Sequence, residues 1–429
     1  MTILFLWVFI GCVLVGMPIF FVLLLAPAVS LWVEGASGMY LQVVSRMFNG
    51  IYSFPLMAIP LFMLAGELMN SGQITARIVT FSQALIGGIR GSLAQVNILS
   101  SILFAGLSGS AVADVSAIGG MMVPAMEREG YRRPFAAAIT AASAVIGPII
   151  PPSIIMIIYA FIMQISPGAL FAAGIGPGLL MGGALMGLTA LMAKRLDLPK
   201  AEHRMSRADK VVAFRQAILP LLTPVILLGG ILTGVFTPTE AAAVAVLYAF
   251  IVSFFVLRTV TLGDMPGILR RTALLSGTIL LVIGGSVAFA WIATISGLPG
   301  VMADFTLGLS DNTIILLILL NVLLFMVGMI LDAGPAILIL GPILSPIFVG
   351  ELGVDPLHFA IIVCVNTAVG LVTPPFGLVL FVTASVAREP IARVLRDLVP
   401  FLLVEVAVIF AITFIPAISL TLPRALGLG

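Results

Sequence analysis

Four short stretches of this chain gather oxygen-bearing side chains at places where a helix cannot continue. The first, Gly106 to Asp114, reads Gly-Leu-Ser-Gly-Ser-Ala-Val-Ala-Asp and offers Ser108, Ser110 and Asp114 around Gly109. The second, Gly147-Pro148-Ile149-Ile150-Pro151-Pro152-Ser153, follows Ser143 inside an apolar run. The third centres on Asp332, between Gly328 and Gly334, and the fourth carries Asn366, Thr367, Gly370 and Thr373 ahead of Pro374 and Pro375. Proline removes a backbone donor and keeps the residue before it out of the helical conformation, so helices part at the paired prolines and leave backbone groups without partners. Hydroxyls, an amide oxygen, a carboxylate and freed carbonyls form the oxygen-rich set that a hard cation takes. Ser108, Ser110, Gly147, Gly328, Asp332, Asn366, Thr367, Gly370 and Thr373 are therefore the candidate cation ligands, with Na⁺ as the ion. Half-helices starting just after the breaks aim partial positive charge at the same region. An anionic solute is accordingly expected near Ser108, Gly109, Asp114, Pro151, Pro152, Ser153, Pro374 and Pro375.

Each of these residues also has a plainer reading. A lone serine or threonine hydroxyl bonds back to the preceding turn, and an aspartate such as Asp114 or Asp332 caps a helix. The four interruptions taken together resist that reading, because no packing need requires all of them. In hydrocarbon, unpaired backbone is tolerated only where protein buries it or where it lines a cavity.

The elements that must hold these stretches are apolar. Hydrophobic residues make up 61% of the 429 and charged residues 9%, against about 25% charged in soluble domains, which implies an all-α polytopic membrane protein. Runs near the roughly 20 residues of a spanning helix lie at 2–33, 53–71, 134–164, 167–193, 216–236, 238–257, 274–296, 312–331, 357–386 and 398–420. The first is long enough for two pieces meeting near Pro18. The runs 134–164 and 357–386 contain the paired prolines and read as two broken helices. Segments 92–126 and 311–348 read as two re-entrant helical hairpins with tips at the Gly/Ser and Asp/Gly stretches, since each arm of the first looks too short to cross alone. Pro124, Pro342 and Pro346 mark the hairpin ends. Glu405, a third carboxylate inside an apolar run, is placed away from the solute site and expected to pair with a partner subunit or a facing helix. Cys12 and Cys364 have no ligand-like neighbours and read as buried small hydrophobes. No basic run is interleaved with aromatics, so no nucleic-acid partner is expected.

The chain repeats itself. Gly106 and Gly328, and Pro124 and Pro346, are each 222 residues apart, Gly147 and Gly370 are 223 apart, and Pro18 and Pro238 are 220 apart. The repeats are 1–213 and 214–429. Segment 194–215 holds seven Lys or Arg residues, Arg204 among them, and reads as a cytoplasmic loop. Alternation then places Arg132, Arg133, Arg388 and Arg393 on the same side and the C-terminus on the periplasmic side. The two hairpins come out on opposite faces, so the repeats are inverted, an architecture that binds solute and coupling ions near the midplane.

These four motifs resemble those of the large membrane subunit of the tripartite ATP-independent periplasmic (TRAP) transporters. The Gly106–Asp114 tip, the Gly147–Ser153 break, the Leu331–Ala336 tip and the Thr373–Gly377 break match the family's patterns in the family's order and span essentially the whole chain. The resemblance implies an elevator-type Na⁺ symporter in the bacterial inner membrane. It implies uptake of an organic anion, of the C4-dicarboxylate or sugar-acid class, delivered by a periplasmic substrate-binding protein. It further implies a small four-helix membrane subunit as a separate polypeptide. In that scheme segments 91–164 and 311–386 move, while 1–72, 167–193, 214–296 and 398–420 mainly form the fixed scaffold. The competing expectation is a stand-alone Na⁺-coupled di- or tricarboxylate symporter of another inverted-repeat family. An intramembrane aspartyl protease is disfavoured because its Gly-x-Gly-Asp signature is absent, and a passive pore would separate from a carrier by counterflow.

Overall fold

The structure, a computed structural model, describes residues 2–200 and 205–428, and Arg204 of the basic segment lies outside them. The chain opens with α1 (Thr2–Leu14) and α2 (Ile19–Val33), which part at Pro18 and pack on each other. After α3 (Tyr40–Ile51), a 3₁₀ turn with Pro55 in its opening residues leads into α4 (Ala58–Ser71), followed by α5 (Ile74–Ile86). The first hairpin is α6 (Ser92–Ser108), a reversal at Gly109, then α7 (Ala111–Asp114), a π turn over Val115–Gly119 and α8 (Gly120–Arg128). The first broken helix is α9 (Arg133–Ala144) and α10 (Ile154–Met163), and α11 (Pro167–Arg195) closes the first half.

The second half repeats the plan. It runs through α12 (Arg207–Leu232), α13 (Pro238–Ile251), α14 (Met265–Ile295) and α15 (Leu298–Leu309) to the second hairpin, α16 (Thr313–Ile330) and α17 (Ala333–Ser345) with a π turn over Pro346–Glu351. The second broken helix is α18 (Pro356–Gly370) and α19 (Leu378–Ala387), and α20 (Ile391–Phe414) and α21 (Ala417–Ala425) end the chain. Both Pro-Pro bonds at the breaks are cis. No strand occurs among the described residues.

Local chemistry sets the helix starts. Ser153 caps α10 by accepting from the Met156 amide at 3.4 Å, and Asp332 caps α17 by accepting from the Ala333 amide at 2.8 Å. Thr237 and Glu240 form a capping box at the start of α13, as do Ser206 and Asp209 at the start of α12. This last cap corrects the reading of 194–215 as one loop. Lys194 and Arg195 end α11 and Arg207 begins α12, because a charged first or last turn is stable outside the apolar zone and hydropathy alone excludes it. Pro124 and Pro342 likewise sit inside α8 and α17 instead of marking hairpin ends.

Eight helices are long and apolar enough to cross a membrane. They include both arms of the second hairpin, Thr313–Ile330 and Ala333–Glu351, so the expectation of short arms fits only the first hairpin. There α6 has 17 residues, about 26 Å of helix against a hydrocarbon core of about 30 Å.

Packing divides the helices differently from the expected scaffold. Helices α11 and α20 lie against α6, α9 and α18, among the interrupted segments, whereas α13 and α14 pack on α3 and α4. The α11 face that does so is small: a Cβ on Gly182 would meet Ile102, and one on Gly178 would meet Ile150. An uninterrupted apolar helix does not announce its neighbours in sequence. Ion pairs gather the predicted cytoplasmic segments at one end, with Arg90 on Asp197 at 2.6 Å, Arg132 on Asp397 at 3.0 Å and Arg133 on Glu127 at 3.0 Å. Arg424 pairs with Asp355 elsewhere, at 3.4 Å.

Candidate functional site

The four interruptions meet around a cavity of about 230 Å³. The first tip contributes Gly109, Ser110 and Val112, the second Asp332 and Gly334, and the breaks Pro148 and Leu371. The rest of the wall comes from uninterrupted elements: Ile19 at the start of α2, and Thr278, Ile279 and Val282 near the middle of the 31-residue α14. Asp332 is exposed to this space and spends one carboxylate oxygen on the Ala333 amide.

Behind the first tip sits a buried polar group. The Ser108 hydroxyl donates to Asp114 Oδ1, and the Ser110 amide donates to Ser108 Oγ at 3.3 Å. Asp114 is 1% exposed, and its Oδ2 has no hydrogen-bond partner. That oxygen points at Gly147, where a Cβ would collide with it. Gly109 holds φ +59°, and a Cβ there would stand 2.6 Å from the Pro152 carbonyl oxygen, so the tip rests directly on the break of its own half. The Ser153 hydroxyl donates to the Pro148 carbonyl at 2.6 Å, which closes the break.

The second half builds its group between α16 and α18. Gly328 and Gly370 meet backbone to backbone, with Thr367 beside them. Asn366 donates to Asn321 Oδ1 at 2.7 Å and to the Ile362 carbonyl at 2.8 Å, while its own Oδ1 is buried without a partner. The Phe376 amide donates to the Met329 carbonyl at 3.2 Å, tying the second break to the second hairpin.

Of the expected ligands, Gly109, Ser110 and Asp332 line the cavity. Ser108, Asp114 and Gly147 form one cluster, and Gly328, Asn366, Thr367 and Gly370 a second. Thr367 donates to the Val363 carbonyl at 2.8 Å and Thr373 to the Val369 carbonyl at 3.0 Å, so both hydroxyls serve their own helix. Pro151, Pro152, Pro374, Pro375 and Ser153 stand behind the wall. Glu405 lies away from the cavity, fully buried within the chain with both oxygens unpaired, which corrects the expected pairing with a neighbour.

Sequence reading missed Asn97 and Asn321. Asn97 donates to Thr140 Oγ1 at 2.7 Å and accepts from Ser143, which receives the Ser101 hydroxyl at 2.9 Å. The signal was present: Asn97 and Asn321 are 224 residues apart and Ser143 and Asn366 are 223 apart, so both halves place a polar pair at the same register. Ile19, Thr278 and Val282 carried no signal, being ordinary residues of apolar helices.

Comparison with known proteins fits this geometry. Residues 6–418 match the family described as the tripartite ATP-independent periplasmic transporter, DctM component. The chain is 39% identical, over 98% of each chain, to the sialic acid TRAP transporter large permease protein SiaM of Vibrio cholerae. It is 39% identical, over 90% of each, to the C4-dicarboxylate TRAP transporter large permease protein DctM of Pseudomonas aeruginosa. It is 37% identical to the 2,3-diketo-L-gulonate TRAP transporter large permease protein YiaN of Escherichia coli, over 95% of this chain and 96% of that one. Among solved structures, the YdaH transporter of Alcanivorax borkumensis shares the fold, with a TM-score of 0.62 at 16% identity over 89% of this chain and 88% of that one. The family match across nearly the whole length and these end-to-end relatives show that the chain belongs to the DctM family of TRAP transporters, as the large permease subunit of a secondary transporter, a multi-pass membrane protein and not an enzyme.

Proposed function

We propose that this subunit carries an organic anion inward across the bacterial inner membrane, driven by Na⁺, by moving its interrupted segments as a body against α2 and α14. The observation that carries the reading is the cavity itself, walled on one side by both tips and both breaks and on the other by two uninterrupted helices. A solute held there rides with the interrupted segments when they slide. Each half also leaves one buried oxygen unpaired, Asp114 Oδ2 in the first and Asn366 Oδ1 in the second. Such atoms are costly unless something binds them, and their oxygen-rich surroundings suit a small hard cation. Ser108, Gly147, Gly328, Thr367 and Gly370 supply neighbouring oxygens or the close backbone approach. The relatives are named for sialic acid, a C4-dicarboxylate and a diketogulonate, all organic acids.

A periplasmic binding protein delivers the anion, and a separate small four-helix subunit stands against the scaffold. The basic end formed by 194–215, Arg132 and Arg393 faces the cytoplasm, with the C-terminus periplasmic. In proteoliposomes holding the complex, with the binding protein added, uptake rises with an inward Na⁺ gradient and stops without the binding protein. Full uptake on a proton gradient in Na⁺-free buffer overturns the coupling, and full uptake without the binding protein overturns the tripartite reading.

A further inference from the structure

The cavity wall bears on which anion is carried, a question that rests on the organic-anion reading above. Its chemistry is lopsided. Ile19, Val112, Ile158, Val282, Leu338 and Leu371 make up most of the surface, and the polar side chains are Ser110, Thr278 and Asp332. Thr278 already donates to the Leu274 carbonyl at 2.9 Å. No Lys or Arg lines the space. Positive potential comes from the opening amides of α10 at Ile154 and Ile155, which have no carbonyl a turn earlier. The corresponding end of α17 is already taken by Asp332. The cavity thus holds one place for a carboxylate and, at Asp332, one acceptor that repels a second.

From this wall we infer that the solute is a small monocarboxylate with an alkyl body, carrying a single hydrogen-bond donor, such as an α-hydroxyl, for Asp332. A polyhydroxylated sugar acid would bury hydroxyls against isoleucine, valine and leucine, and unpaired polar groups of that kind carry the full desolvation penalty. A dicarboxylate would bring its second charge to Asp332. Size agrees, since about 230 Å³ falls below the roughly 300–1,000 Å³ of pockets for drug-sized ligands. The donor should matter measurably, because a hydrogen bond to a charged acceptor corresponds to about tenfold or more in affinity.

The binding protein imposes its own selectivity, so the test uses the purified complex of large and small subunits without it. Thermal unfolding is followed at constant NaCl with isocaproate, α-hydroxyisocaproate, succinate or N-acetylneuraminate added at equal concentration. The expected result is a rise in the unfolding midpoint with α-hydroxyisocaproate, a smaller rise with isocaproate, and none with the other two. In Asp332→Asn, which keeps a helix-capping side chain, the roughly tenfold preference for the hydroxy acid shrinks toward parity. In Leu338→Asn both alkyl acids lose affinity together. A shift with succinate or N-acetylneuraminate but not with the alkyl acids overturns the substrate class while leaving anion transport standing. No shift with any of the four anions overturns the organic-anion reading at this cavity and the inference with it.

Discussion

Replacing Gly370 with alanine tests whether the second hairpin and the second broken helix form one unit. The new Cβ would touch the Gly328 carbonyl carbon, lie 2.5 Å from Gly328 Cα and 2.7 Å from its carbonyl oxygen. Ordinary contact begins near 3.4 Å, so α16 and α18 must separate by about 0.9 Å, and main chain cannot rotate out of the way as a side chain can. Overpacking of this kind costs about 1–3 kcal/mol, occasionally more, against only about 0.5–1 kcal/mol gained from alanine's helix preference. Gly328→Ala is the internal control: its Cβ would meet Gly370 Cα and Thr367 Cα at 3.2 Å, a strain that a few tenths of an ångström relieves. The helix-preference gain then brings the control close to neutral. The assay is thermal unfolding of the purified complex together with the Na⁺ concentration needed for half-maximal uptake. Gly370→Ala should lower the unfolding midpoint and weaken Na⁺ activation, because Asn366 and Thr367 shift with the helix. Equal behaviour of the two variants, or a normal Na⁺ response in Gly370→Ala, would refute the close backbone crossing as the basis of the second cluster.

Asp114→Asn retains the shape beside Gly147 but removes a charge, so the Na⁺ needed for half-maximal uptake should rise about tenfold or more if Oδ2 faces the ion; an unchanged Na⁺ response rules that out. Glu405→Leu removes two buried, unpaired oxygens, each an expense of about 1–3 kcal/mol. The variant should therefore unfold at a higher temperature with uptake intact, and lost uptake in a folded protein would show that Glu405 has a working role. At the start of α14, the Thr261 hydroxyl and amide donate to Asp264 at 2.7 and 2.9 Å, and these bonds hold its carboxyl below the ordinary value of 3.8. A depressed carboxyl contributes stability that is present above its unfolded pKa and lost as pH falls through its folded one. The difference in unfolding midpoint between the wild type and Asp264→Ala should consequently close on acidification, and a constant difference would contradict the assignment.

The interruptions were legible because Pro151-Pro152 and Pro374-Pro375 break apolar runs that have no other reason to break, and because Asp332 and the Gly106–Asp114 tip are polar where polarity is expensive. The repeat was legible for the same reason, since rare residues make clear anchors. What escaped was everything decided by packing or rotamer. Thr367 and Thr373 look like ligands in sequence, yet an i−4 carbonyl is always within a threonine's reach, and only coordinates show that both hydroxyls took it. The places of α11 and α20 among the interrupted segments depend on which face of an evenly apolar helix is small. The π turns after the tips leave no compositional mark. Ile19 and Val282 became wall residues solely through the position of their helices.

The way each tip is fastened to its break has a bearing on how one machine can serve many cargoes. Gly109 lies on the Pro152 carbonyl, Phe376 bonds to the Met329 carbonyl, and Gly328 meets Gly370, all through main-chain atoms. Main-chain contacts survive any substitution that spares the glycines and prolines. The side chains facing the solute, such as Ile19, Val282 and Leu338, take no part in those fastenings. A lineage can therefore re-tailor its cargo by point changes at the wall while the framework that couples ion to motion is inherited untouched, which is how subunits named for sialic acid and for a C4-dicarboxylate can resemble this chain equally well.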